Sequence, residues 1–174
     1  MRTRLLVVAA LAASALPAAA VELPTRKPGL WELKMLMEGH NLPPQTVQHC
    51  IDAATDKLMN TSFGSMTKEA CSKQDIEGSG SNFTVDSVCK FGPMTSTTHA
   101  VVSGSFDQAY TVKVVSHSQG GPPQMPAETH MTIEAKWLGA CAAGQKPGDM
   151  MMPGGMKINI LDMQAMRGRA QRPR

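Results

Sequence analysis

The sequence has few aromatic residues, little net charge and none of the short spacings that mark common chemistries. Two Trp, one Tyr and four Phe make up 4% of 174 residues, so the core must be thin and rest on aliphatic side chains and Met. The four cysteines contain no CxxC pair, which speaks against thioredoxin-like redox chemistry and a zinc knuckle. There is no GxSxG, HExxH, P-loop or GxGxxG. None of the five histidines, His40, His49, His99, His117 and His130, sits in a nucleophile–base motif. Asp75 and Glu77 flank a turn and read as solvated side chains, not as an acid–base pair. Beyond residue 20 no stretch is apolar enough to span a bilayer, which takes roughly 20 residues. Neither an enzyme nor a bound cofactor is expected.

What is present begins with an export signal. Arg2 and Arg4 supply a positive start, Leu5 to Leu16 an apolar run, Pro17 a break, and Ala18, Ala19 and Ala20 the small residues of a cleavage site. The apolar run is too short for a transmembrane anchor, and no Cys follows it to carry a lipid. Cleavage is expected after Ala20, with the mature chain starting at Val21 in a bacterial periplasm. The mature chain then holds 15 Lys and Arg against 14 Asp and Glu. The balance is uneven: residues 21–141 hold 9 basic and 12 acidic residues, residues 142–174 hold 6 and 2. The basic excess sits in Arg167, Arg169, Arg172 and Arg174, and reads as a solvated end rather than a nucleic-acid site.

Between these ends the chain reads as strands. In 30–37, Trp31, Leu33, Met35 and Met37 alternate with Glu32 and Lys34, the period of a half-buried strand. Residues 45–50 form a second strand. Residues 51–60 have helical character with Asp52 as N-cap, and 60–68 read as a loop. Segments 71–77 and 82–91 flank Gly78-Ser79-Gly80-Ser81, a hairpin signal. A turn centred near residue 80 sets Cys71 opposite Cys89, where β-carbons lie about 4.5–5.5 Å apart. The other pair is then Cys50–Cys141. A shift of one residue would instead set Ile76 against Val85.

Strands at 95–104, 108–117 and 129–138 follow. Pairing the last two so that residue numbers sum to 247 sets Lys113 against Glu134, Tyr110 against Trp137 and His117 against His130. The fold expected is mainly β: a curved, open-barrel-like antiparallel meander of about seven strands with one short helix, stapled by disulfides. It spans residues 24–141. The Met/Gly/Pro-rich and basic tail, 142–174, has no period and is expected to be mostly disordered, with a short helix at most near 158–166.

Two binding chemistries can be placed on this plan. Trp31, Tyr110 and Trp137 share strand spacing with apolar partners. They pack a core, or line an apolar pocket if the sheet curls. The mature chain has 13 Met. His117 and His130, with Met125 in the loop beside them and Met94 on the adjoining strand, would form a His/Met site suited to copper.

Several of these segments match a pattern seen elsewhere. RKPGLWELKMLMEG (26–39), PPQTVQHCID (43–52), a later Cys, a hairpin ending in a third Cys, and WLG (137–139) before the last Cys resemble the family of small exported bacterial proteins known as domain of unknown function 3617 (DUF3617). The resemblance covers roughly residues 24–141. It implies a periplasmic β-sheet protein and supplies no catalytic residues. The function expected is a non-enzymatic binding or envelope-associated module, acting as a monomer on an unknown partner such as an envelope component. The alternatives are copper handling and carriage of a small apolar ligand. The mass of protein recovered from the periplasm should match a chain starting at Val21, less two hydrogens for each of two disulfides. A mass that includes residues 1–20 would overturn the export reading.

Overall fold

The computed structural model describes residues 22–39, 43–59 and 70–170. The signal segment and the 60–68 loop lie outside the described residues, as does His40. Among the described residues nine strands and two helices are formed: β1 (Gly29–Met37), β2 (Gln45–Ile51), α1 (53–59), β3 (Cys71–Ser79), β4 (Asn82–Phe91), β5 (Met94–Ser105), β6 (Ala109–Gln119), β7 (Glu128–Gly139), β8 (Asp149–Met151), β9 (Lys157–Asn159) and α2 (Ile160–Ala170). The strands make one open antiparallel sheet in the order β3-β4-β5-β6-β7-β1-β2-β8-β9. Among the described residues no helix is long and apolar enough to cross a membrane.

The seven long strands stand where their alternation placed them, but their order is not a simple meander. β3 to β7 run in sequence, and β1–β2 and β8–β9 are separate sequential pairs. β1 docks on β7 and so lies between β7 and β2 in the middle of the sheet. Its apolar row meets the apolar row of β7: Trp31 faces Trp137, Leu33 faces Ala135 and Met35 faces Ile133. Gly29 opens β1 at a φ of 133°, and a β-carbon there would fall 2.2 Å from the Gly139 carbonyl oxygen. Only glycine permits that approach.

Both disulfides form as expected. Cys71–Cys89 joins opposed residues of β3 and β4 at a Cα separation of 3.8 Å, and Cys50–Cys141 joins β2 to the segment after β7 at 5.3 Å. Leu30 pairs with Cys50 on one side and Gly139 on the other, so the second bridge spans the start of β1. The two hairpin registers that the sequence left open coexist. Cys71 opposes Cys89, a bulge follows, and Ile76 then faces Val85.

The β6–β7 register differs from the expected one by two residues. Lys113 faces Thr132, Tyr110 faces Ala135 and His117 faces Glu128. A shift of two keeps every side chain on its face. The small Ala135 leaves room for Tyr110 between Trp31, at 5.6 Å between ring centres, and Phe106, stacked at 4.9 Å. Glu134 finds its cation on β1 instead, with Lys34 at 3.8 Å.

The core lies on the face that carries Trp31, Ile51 and Ala135, covered by Met59 of α1 and Ile160 of α2. Asp52 caps α1 by accepting from the Thr55 amide at 2.7 Å, while its own amide donates to Thr55 Oγ1 at 3.0 Å. Asp56, fully buried, accepts from the Arg26 amide at 2.7 Å and Nε at 2.8 Å. The segment beyond 141, expected to be disordered, instead extends the sheet. Gly148 donates to the Cys50 carbonyl, and buried Asp149 accepts from Asn159 Nδ2 at 2.7 Å and the Lys146 amide at 3.0 Å. Three-residue strands held by polar contacts carry no hydrophobic period, which is why the sequence did not announce them.

Asp56→Asn should cost about 3–5 kcal/mol in urea unfolding, since it leaves the Arg26 guanidinium buried without its charge partner. The double replacement Arg26→Met with Asp56→Leu should recover most of that loss. A loss under about 1 kcal/mol for Asp56→Asn would show that the pair is solvated and not structural.

Candidate functional site

The aromatic residues proposed as a pocket are brought together, but as packing. Trp31 has no exposed surface, and its indole nitrogen donates to the Lys27 carbonyl at 2.8 Å. Tyr110 is held between Trp31 and Phe106, and burial pushes its hydroxyl up from the usual range. Trp137 donates to the Pro28 carbonyl at 3.1 Å, and Lys27 Nζ sits 3.7 Å over its ring. Residues 27 and 28 thus lie against both indoles, with their carbonyls accepting from the ring nitrogens and Lys27 covering Trp137.

The four residues proposed for copper divide into two pairs. His117 Nδ1 lies 3.1 Å from Glu128 Oε2, and His130 Nε2 lies 2.6 Å from Glu128 Oε1. Glu128 therefore stands between the two imidazoles. The His130 hydrogen bond first, and the two imidazole charges next, hold its carboxyl below the usual range. Met94 and Met125 converge elsewhere: a β-carbon on Gly121 would lie 3.4 Å and 3.3 Å from their sulfurs. His117 faces Thr97 of β5, an odd number from Met94 on the same strand, so the imidazoles and Met94 take opposite faces. No group of three or more His, Cys, Asp or Glu among the described residues could hold a metal ion.

The arrangement that sequence reading missed is on the polar face. β1 and β7 each read Glu-x-Lys: Glu32 and Lys34 on one, Glu134 and Lys136 on the other. Antiparallel pairing of two such strands sets each Glu against a Lys, and the register does so: Glu32 faces Lys136 and Lys34 faces Glu134. These four charges, with Ser103 and Thr111, line a shallow groove of about 410 Å³ that crosses β5, β6, β7 and β1. A second open hollow of about 480 Å³ is lined by Glu38, Gly39, Pro126, Glu128 and His130. Thr132, between them on β7, donates to Glu38 at 3.4 Å. One alternating row of β7, Glu128, His130, Thr132, Glu134 and Lys136, thus runs through both hollows. The doubled Glu-x-Lys was visible in the sequence, and it needed only the β1–β7 pairing to be read.

One titratable group lies on the core side. His49 faces Trp31 on β1 and Met150 on β8, and its Nδ1 is buried with no hydrogen-bond partner among the described residues. Burial first, and the Arg26 charge second, push this imidazole down to about 4.

A family model described as "Protein of unknown function (DUF3617)" matches residues 26–141, from the buried arginine to the last cysteine. No curated protein and no solved structure matches the chain.

His49 gives stability a pH dependence of definite sign. Its folded pKa lies below its unfolded value of 6.5, so the unfolded chain binds the extra proton between the two values. Stability is therefore complete above about 6.5 and falls as pH drops toward about 4. From about pH 7 to about pH 5 the loss should be about 2 kcal/mol in denaturant unfolding, and His49→Gln should remove most of it. An unchanged slope in that variant would exclude His49 as the cause.

Proposed function

We propose that this chain, which belongs to the DUF3617 family, is an exported, non-enzymatic module that binds an extended polypeptide of the cell envelope across its polar sheet face. The observation that carries this reading is the β7 row that joins two shallow hollows into one polar strip. The groove is balanced, two carboxylates against two ammonium groups, so an ion of one sign gains little there. A partner that presents both signs at strand spacing, or neutral hydrogen-bonding groups, gains more. An extended peptide has that chemistry and fits an open groove better than a compact small molecule does. Ser103 and Thr111 add hydroxyls that both donate and accept.

The alternatives have less support. Carriage of an apolar ligand needs an enclosed apolar cavity, and the groove is open and carries four charges and two hydroxyls. Copper handling needs converging donors, and the imidazoles and thioethers form separate pairs. Two disulfides and a leader with export features support an oxidising destination.

A photo-crosslinking amino acid at Thr111, expressed with the native leader, should capture an envelope protein, and the same probe at Ser79 on the far edge should not. The double variant Lys34→Glu with Lys136→Glu should abolish the adduct yet shift unfolding by no more than about 1 kcal/mol, since exposed pairs contribute little. Equal adducts at both positions, or an adduct indifferent to the charge reversal, would exclude the groove as the binding surface.

A further inference from the structure

The segment after the last cysteine is held tightly within itself and loosely to the rest of the molecule. Inside it, Asp149 accepts from Asn159 Nδ2 at 2.7 Å and from the Lys146 amide at 3.0 Å, with Lys157 Nζ at 3.6 Å. The Ile160 amide donates to the Gly148 carbonyl, and the Asn159 side chain accepts from the Leu161 amide at 2.9 Å. β8, β9 and the start of α2 are thereby one unit. Its links to the body among the described residues are few. Two residues of β2 pair with β8, Gln48 with Met151 and His49 with Met150. Gly148 donates to the Cys50 carbonyl, and Ile160 enters the core. The unit lies beyond the family match, which ends at Cys141, and Cys141 is bonded to Cys50. A unit that let go of β2 would still be pinned at its root.

His49 sits at the seam. It pairs with Trp31 on one side and Met150 on the other, and neither side chain titrates. A proton on its buried Nδ1 would add an N–H with no acceptor among the described residues. The charge that bears on it is Arg26, and Asp56, which could offset a new positive charge, is already taken up by Arg26. On β8 the carboxylate beside Met150 is Asp149, committed to Asn159 and Lys157. On β1 the nearest carboxylate, Glu32, pairs with Gln48 and so belongs to the polar face. The closed seam therefore holds a neutral imidazole.

We infer that this extension is an acid-released latch: protonation of His49 detaches β8, β9 and α2 from β2 as a unit, while the disulfide-bonded sheet from β3 to β2 stays folded. In the open form His49 meets water and takes a proton freely, so acid favours opening. Burial holds the closed imidazole down to about 4 against 6.5 in water, so opening gains between those values, about tenfold per pH unit. Release uncovers the outer edge of β2 and the core surface that Ile160 covers. The latch lies on the core face and needs no groove, so it stands or falls apart from the proposed peptide partner.

The test is hydrogen exchange of the full chain, purified after export and read by mass spectrometry, with each rate divided by the intrinsic rate at that pH. At pH 7 the amides of β8 and β9 should be protected roughly tenfold less, or weaker still, than those of β5 and β6, because they open without global unfolding. From pH 7 to pH 5 their protection should fall roughly twentyfold further. His49→Gln, which cannot take the proton, should hold that fall to about threefold or less. Equal protection of the two regions at both pH values would overturn the inference, since the extension would then open only with the whole molecule. A fall of the full size that persists in His49→Gln would overturn it as well. His49→Asn gives the same reading if the Gln variant does not fold, and the comparison of the two regions needs no variant.

Discussion

The buried pair of Arg26 and Asp56 is the contact on which the rest of the molecule depends. It joins three things that the sequence keeps apart: the lead-in to β1, helix α1, and the aromatic core. The amide, Nε and a terminal nitrogen of Arg26 all reach the Asp56 carboxylate, at 2.7–2.8 Å. The same guanidinium lies 5.9 Å from the centre of the Trp31 ring. With Arg26 fixed, Trp31 sits under α1, and β1 enters the sheet in the register that Gly29 permits against Gly139. That register aligns the two Glu-x-Lys strands, so the charged groove on the opposite face inherits its geometry from an ion pair in the core.

A buried ion pair is costly in isolation, since both groups give up water. It is retained here in a chain with few large apolar side chains. Seven aromatic residues cannot specify a nine-stranded sheet by packing alone. The pair adds direction that aliphatic contacts lack, because the fork of Arg26 accepts only one placement of α1. The disulfides act on the other side of the equilibrium. On the chain-entropy model, closing loops of 18 and 91 residues removes about 3 kcal/mol and somewhat more of unfolded-state freedom. The longer bridge also spans the start of β1, so both devices converge on the same strand.

Local features of this fold were legible in the sequence, and non-local ones were not. Alternation located the seven long strands, Asp52 announced the cap of α1, and the Gly-Ser turn opposed Cys71 to Cys89. Each of these rests on residues within about twenty positions of one another. The insertion of β1 between β2 and β7 rests on contacts a hundred residues apart, and a period of two is the same whichever neighbour a strand has. For the same reason the β6–β7 register was misplaced by two while every face was assigned correctly. The candidate site followed suit: Trp31, Tyr110 and Trp137 do meet, but as core. The groove stayed hidden until β1 was placed beside β7.

The charges of the molecule are unevenly spread, and the groove is kept apart from that imbalance. Residues 21–141 carry a small acidic excess, yet the groove itself is balanced by the strict alternation of Glu and Lys. At physiological ionic strength an exposed charge is felt over about 8 Å, less than two strand spacings. The groove belongs to β5, β6, β7 and β1, and β2, β8 and β9 lie beyond β1 in the strand order. Asp149 and Asn159 tie β8 to β9, and Gly148 joins that pair to β2 through the Cys50 carbonyl. The polar extension beyond the last cysteine therefore lengthens the sheet away from the groove and carries Ile160 onto the opposite, core face.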